Sequence, residues 1–120
     1  MDRRAWVGLS ALFGLLAVAA GAFAAHGFEA SGDARAAELV ETGARHQMWH
    51  ALVMIGYLAL GRGGTLPLWS WAIGVALFSG SLYALAFGVP APVAFAAPVG
   101  GTALLLGWAA LAWEAVRARP

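Results

Sequence analysis

Three stretches of this sequence are apolar over the length of a membrane crossing: Trp6 to Ala25, about Leu66 to Gly88, and about Ala96 to Val116. A helix needs about 20 residues to traverse about 30 Å of hydrocarbon. Composition points the same way. Hydrophobic residues make up 62% of the 120-residue chain and charged residues 11%, against roughly 45–50% and about 25% in soluble domains. A single water-soluble domain of this size keeps too much of its area exposed to hide so many apolar side chains. The expected solvent is therefore lipid.

A fourth apolar segment ends at Gly61, and its purely apolar part, from Ala51, is too short to span. Counting back about 20 residues reaches Thr42. Such a span draws ETGARHQMWH, residues 41–50, toward the bilayer. A strongly polar residue deep in lipid costs roughly 2.5–3.5 kcal/mol unless it snorkels or finds a partner. Arg45 is near enough to the end to snorkel. His50 lies deeper and is expected to face protein.

The expected fold is all-α: an integral membrane four-helix bundle, one domain over 1–120, with approximate spans 6–25, 42–61, 66–88 and 96–116. Four spans put both termini and the loop around Arg62 on one face, with Arg3, Arg4, Arg117 and Arg119. The other face carries Arg35 and Arg45 among Glu29, Asp33, Glu38 and Glu41. The positive-inside rule then makes the termini cytoplasmic, with Trp6, Trp69, Trp71 and Trp113 as an aromatic belt at the inner interface. Arg3 and Arg4 followed by an apolar run and AFAA also resemble a signal peptide, but the run is long for one.

Gly27, Ser31 and Gly32 break the chain after the first span, and Asp33 is placed to cap a helix from Ala34. That helix either lies at the interface or runs straight into the second span. Residues 89–98, VPAPVAFAAP, read as an outer loop with Pro98 in the first turn of the fourth helix, or else as a kinked start to a longer helix. GRGG at 61–64 reads as a turn. Small residues four apart, at Ala17/Gly21/Ala25, Ala76/Gly80/Ala84 and Ala103/Gly107, are candidate helix contacts.

At 100° per residue, Leu39, His46, His50 and Tyr57 share a narrow face of the second helix, with Glu38, Glu41 and Arg45 on a neighbouring one. Glu41 and Arg45 are four apart in the favourable order for an ion pair. By depth, Ser79 and Tyr83 bracket His50, and Thr102 falls in the same outer half. The candidate cluster is His50, Tyr83, Ser79 and Gln47. His46 and His50 have chelate spacing, and His26 is a conceivable third ligand. With no HExxH and no aligned carboxylate, no metal or cofactor is assigned. Other readings are a proton or solute path, or hydrogen bonds that only fix helix register. No nucleophile and base stand at convincing spacing, so no enzyme is expected. A net charge of +1 without a basic cluster argues against nucleic acid.

The blocks GAFAAHGF (21–28), ETGARHQMWHAL (41–52), LFSGSLYALAF (77–87) and APVGGTALLLGWAALA (97–112) resemble, in order, a family of small bacterial inner-membrane proteins. It is known as domain of unknown function 423, the YgdD/YwdK type, with mitochondrial relatives. The resemblance implies a four-helix, multi-pass protein of the bacterial inner membrane and supplies no activity. It carries His26, Glu41, Arg45, Gln47, His50, Ser79 and Tyr83 as matching positions, with Gly43, Pro98, Gly100 and Gly101. His46 departs where tyrosine is expected, which undercuts a paired-histidine metal site. Ala97 departs where threonine is common. The function expected first is non-catalytic association, as a homo-oligomer or an accessory subunit of a membrane complex. The alternative is handling of a small ligand, proton or solute by the outer polar cluster around His50.

Overall fold

A computed structural model describes residues 1–28, 30–62 and 64–118. Arg119 and Glu29, counted in the charge asymmetry, lie outside the described residues, as does Gly63 of the expected turn. Among those described, the chain is helical, with no strand.

Helix α1 (Arg3–Phe23) starts where the Asp2 carboxylate accepts from the Ala5 N–H at 2.8 Å, satisfying one of the amides that a helix start leaves open. It passes into a single π-helical turn, Ala24–Phe28. There a Cβ at Gly27 would lie 3.2 Å from the Phe23 ring. Phe23, Phe28 and Phe87 form an aromatic triad that ties this turn to the end of α3 (Leu66–Ala86).

Asp33 caps α2 (Ala34–Ala59), accepting from the Ala36 N–H at 3.0 Å. This helix runs unbroken for 26 residues, about 39 Å, so the segment after Asp33 continues straight into the second apolar stretch. A 3-10 turn at Ala91–Phe95 leads into α4 (Ala96–Arg117), with Pro98 in its first turn. Proline costs little there because that amide has no helical partner. Gly61 and Gly88, at φ 67° and 86°, stop α2 and α3 in the left-handed conformation that a side chain resists.

Three helical stretches are long and apolar enough to cross a membrane: Arg3–Phe28, Leu66–Ala86 and Ala91–Arg117. Helix α2, diluted by its polar first half, is not among them.

The helices pack in chain order, α1 on α2, α2 on α3 and α3 on α4. Arg3 reaches the carbonyl of Leu58, and Tyr57 reaches Glu114. The start of α1 and the ends of α2 and α4 therefore share one end of the molecule. The α3–α4 seam is the tightest. A Cβ at Gly100 would collide with the backbone N of Phe78 and sit 2.9 Å from the carbonyl oxygen of Gly74. Gly107 lies flat against the Trp71 indole. Of the small-residue patterns expected to make contacts, Ala103/Gly107 reaches this seam. Gly21 and Gly80 face open space; small residues recur in an alanine-rich chain whether or not a neighbour needs them.

The core at the terminal end is built from Trp6, Met54, Tyr57, Leu58, Leu68, Trp71 and Val75, joined by Leu104. This corrects the aromatic belt. Trp71 is 0% exposed and Trp6 is also buried, while Trp69 and Trp113 stay exposed. The indoles of Trp6 and Trp71 fill the space between helices, where their area packs against protein on every side.

Candidate functional site

The polar stretch at 41–50 divides into an outer and an inner face. Glu41 and Arg45 form an ion pair at 2.9 Å on the exposed side of α2. The inner face begins with Gly43. A Cβ there would lie 2.7 Å from the Tyr83 ring, so glycine is what lets the ring lie on α2. The Gly43 carbonyl accepts from the Ser79 hydroxyl at 2.7 Å, a buried bond between α3 and α2.

Gln47 is the hub. Its side-chain amide N–H donates to the carbonyl of Phe13 on α1 at 2.8 Å, and its amide oxygen accepts from the Tyr83 hydroxyl at 2.8 Å. A backbone carbonyl only accepts, which fixes the orientation of the amide. One buried side chain thus joins three helices.

His50 is 5% exposed and lies one turn further along. Its Nδ1 is 2.7 Å from the His46 carbonyl, so Nδ1 must carry the hydrogen. Its Nε2 accepts from the Trp108 indole N–H on α4 at 3.1 Å. Both ring nitrogens are used by one neutral tautomer, assigned from these partners. His46 stacks edge-on against Trp49 and Phe78, at 5.0 and 4.7 Å between ring centroids.

Beside His50 a cavity of about 810 Å³ opens between α2 and α4. Its walls are His46, Trp49, His50 and Leu52 from α2, Phe78 from α3, and Pro98, Gly101, Thr102, Leu104, Leu105 and Trp108 from α4. The Thr102 hydroxyl is spent on the Pro98 carbonyl at 2.9 Å, leaving the walls mainly aliphatic and aromatic. At the other end of the molecule, a side-chain bridge joins α2 to α4. Tyr57 lies 2.8 Å from a Glu114 carboxylate oxygen and 2.9 Å from the Gly64 carbonyl.

Measured against the expected cluster, Gln47, Tyr83 and Ser79 do lie together across α2 and α3. His50 is inside, but it bonds to Trp108 rather than to Ser79 or Tyr83. Glu41 and Arg45 stand apart on the surface, and His26 is exposed in the π turn. No group of three or more metal-ligating side chains occurs among the described residues. Sequence reasoning missed Trp108, the Phe13 carbonyl and Glu114. Only Glu114 carried a visible signal, as an acid inside an apolar helix.

Four helices, three of them apolar over a membrane's thickness, with Gln47, Ser79 and His50 bonded from one helix to the next, define a small integral membrane protein. The chain belongs to the family described as a protein of unknown function, DUF423, whose model matches residues 20–101. A UPF0382 membrane protein of Haemophilus influenzae is 41% identical over 115 residues, covering 92% of this chain and 93% of its own. The UPF0382 inner membrane protein YgdD of Escherichia coli K12 is 36% identical over 123 residues, covering 98% and 93%. The UPF0382 membrane protein YwdK of Bacillus subtilis is 35% identical over 115 residues, covering 91% and 94%. No solved structure matches the chain. The protein is a multi-pass protein of the bacterial inner membrane.

Proposed function

We propose that this is a non-catalytic membrane protein, a four-helix transmembrane domain with cytoplasmic termini, that holds a small apolar ligand in the groove between α2 and α4. The observation that carries the reading is the cavity of about 810 Å³ directly beside His50. Ligand pockets are typically 300–1,000 Å³, mainly apolar, with a few placed polar groups, and this one fits that description. The Arg3, Arg4, Arg62 and Arg117 side supports the orientation. For α2 to span as well, its polar residues must be covered, and the bonds of Gln47, Ser79 and His50 cover them.

The hydrogen bonds also weigh against proton transfer. A relay through His50 would have to break its bond to Trp108 or to the His46 carbonyl.

Association with other membrane helices, the function expected first from the sequence, is favoured by one feature. Helix α1 leaves Gly8 and Gly14 with nothing within 4 Å, two points at which a small residue allows a neighbour's close approach. The test is to purify the protein in a mild detergent, extract it with organic solvent and weigh what is released. A stoichiometric apolar compound that is absent from a Trp108→Ala variant supports the ligand reading. An empty protein that runs as a defined oligomer replaces it with association.

A further inference from the structure

The shape of the groove narrows what fills it. Along α2 its walls run from His46 to Leu52, and along α4 from Pro98 to Trp108. At 1.5 Å per residue these are about 9 and about 15 Å. Half of a 30 Å hydrocarbon core is about 15 Å. The groove is therefore one leaflet deep. Its mouth, at Pro98 in the first turn of α4, lies toward the end of the molecule distant from the termini. Deeper in, it stops at Leu52 and Trp108. Beyond them Tyr57 and Glu114, bonded at 2.8 Å, bridge the gap between α2 and α4.

A transmembrane helix from a second copy lying parallel to α2 and α4, between them, needs a seam through both leaflets, and its cylinder is about 10–12 Å across. The Tyr57–Glu114 clasp blocks such a helix halfway. Water is equally unsuited, because a buried water needs two to four polar partners. His50, Trp108 and Thr102 have spent theirs inside the protein, which leaves polar ring atoms only on His46 and Trp49, at the mouth. A hydrocarbon chain entering sideways from one leaflet meets each condition. It is thin, it needs no polar partner, and it gains dispersion contacts on Trp49, Phe78 and Trp108 that an empty groove forfeits.

We infer that the groove is the seat of one acyl chain of a phospholipid from the leaflet opposite the termini, with its headgroup beside His46. This rests on the ligand reading above and names its ligand class. His46 and Trp49 are the lining side chains at the mouth with polar ring atoms to offer a headgroup. The ring of His46 stands on its edge against its two aromatic neighbours, at the level of the exposed Arg45.

The test uses the full chain reconstituted in vesicles of phosphatidylethanolamine and phosphatidylglycerol, extracted in a mild detergent and weighed by native mass spectrometry. One phospholipid should stay on each wild-type chain. Gly101→Leu should lower that retention about tenfold or more. Its new side chain enters the groove, and a Cβ at Gly101 meets only Phe78 Cδ2, at 3.9 Å, so the fold accepts it. Leu105→Trp fills the same space from a side chain already exposed there and should act alike. Glu41→Ala, on the exposed side of α2 away from the groove, should leave retention unchanged. Equal retention by wild type and both filled variants overturns the inference. A different small molecule, retained by wild type and lost in both, overturns the phospholipid while keeping the ligand reading. A chain that holds no small molecule and loses its oligomeric mass when the groove is filled overturns both.

Discussion

Helix α4 has two neighbours and meets them by opposite means. Against α3 it uses glycine, and backbone comes to backbone at Gly100 and Gly74. Against α2 it uses long side chains, with Trp108 reaching His50 and Glu114 reaching Tyr57. Lipid gives helices no hydrophobic reason to associate, so contact must come from close packing or from hydrogen bonds. Close packing fills the seam. Side-chain bridges hold two helices at a distance and leave room between the bridges. The cavity beside His50 follows from α4 being packed on one side and bridged on the other.

The largest effect should come from attacking the packed side. Gly100→Val is expected to destabilise by about 3 kcal/mol, because overpacking a filled seam costs about 1–3 kcal/mol or more and the obstacles at Gly100 are backbone atoms. Gly101→Ala, one residue on, should be neutral or stabilising by up to about 1 kcal/mol, the usual helix preference for alanine. Thermal unfolding of both variants in the same detergent is the check. Equal losses at the two positions would erase the distinction between seam and groove.

Next comes the outer bridge. His50→Leu removes the acceptor of the Trp108 N–H and leaves that donor in apolar surroundings. A lost bond of this kind costs about 1 kcal/mol within membranes. The expected result is a loss of that size, with a shift in indole fluorescence as the Trp108 ring is released. His50→Gln, able to accept again, should recover part of it. Loss without recovery would mean that His50 matters for its volume and not for its bond.

These bridges also mark how far the sequence could be read. The apolar runs of α1, α3 and α4 were legible because length and composition alone constrain a crossing. The start of α2 was legible because aspartate followed by helix-forming residues caps locally. ETGARHQMWH was recognisable as a stretch in want of partners because polar groups entering an apolar segment need them. What those partners were was hidden. Trp108 and the Phe13 carbonyl are 58 and 34 residues away from the side chains they bond, and no periodicity within one helix says which neighbour faces it. The burial of Trp6 and Trp71 was hidden for the same reason: a tryptophan near a membrane edge looks alike whether it meets headgroups or another helix. Glu114 could have been singled out, since an acid inside an apolar run demands a partner.

The inner bridge should matter slightly less than the outer one. Tyr57→Phe keeps the ring against Trp71, at 5.8 Å between centroids, and removes only the hydroxyl that faces Gly64 and Glu114. Being near the end of the helices, both acceptors can turn toward water. A loss of about 0.5–1 kcal/mol in thermal unfolding is expected, in line with a single hydrogen bond. A much larger loss would show that this end, and not the glycine seam, holds α4 in place.

The smallest effect belongs to the most visible pair in the sequence. Glu41 and Arg45 form a 2.9 Å ion pair, but their side chains are 59% and 52% exposed. An exposed pair four apart on a helix contributes only about 0.3–0.5 kcal/mol and is screened by salt. Glu41→Ala should therefore move the unfolding temperature little, and less still at high ionic strength. It should also leave lipid retention in the groove unchanged, because the pair lies on the side of α2 away from α4. A large, salt-insensitive loss on Glu41→Ala would mean that this face of α2 is covered by something in the membrane, and that the bridged side of α4 is not the only place where the protein meets a partner.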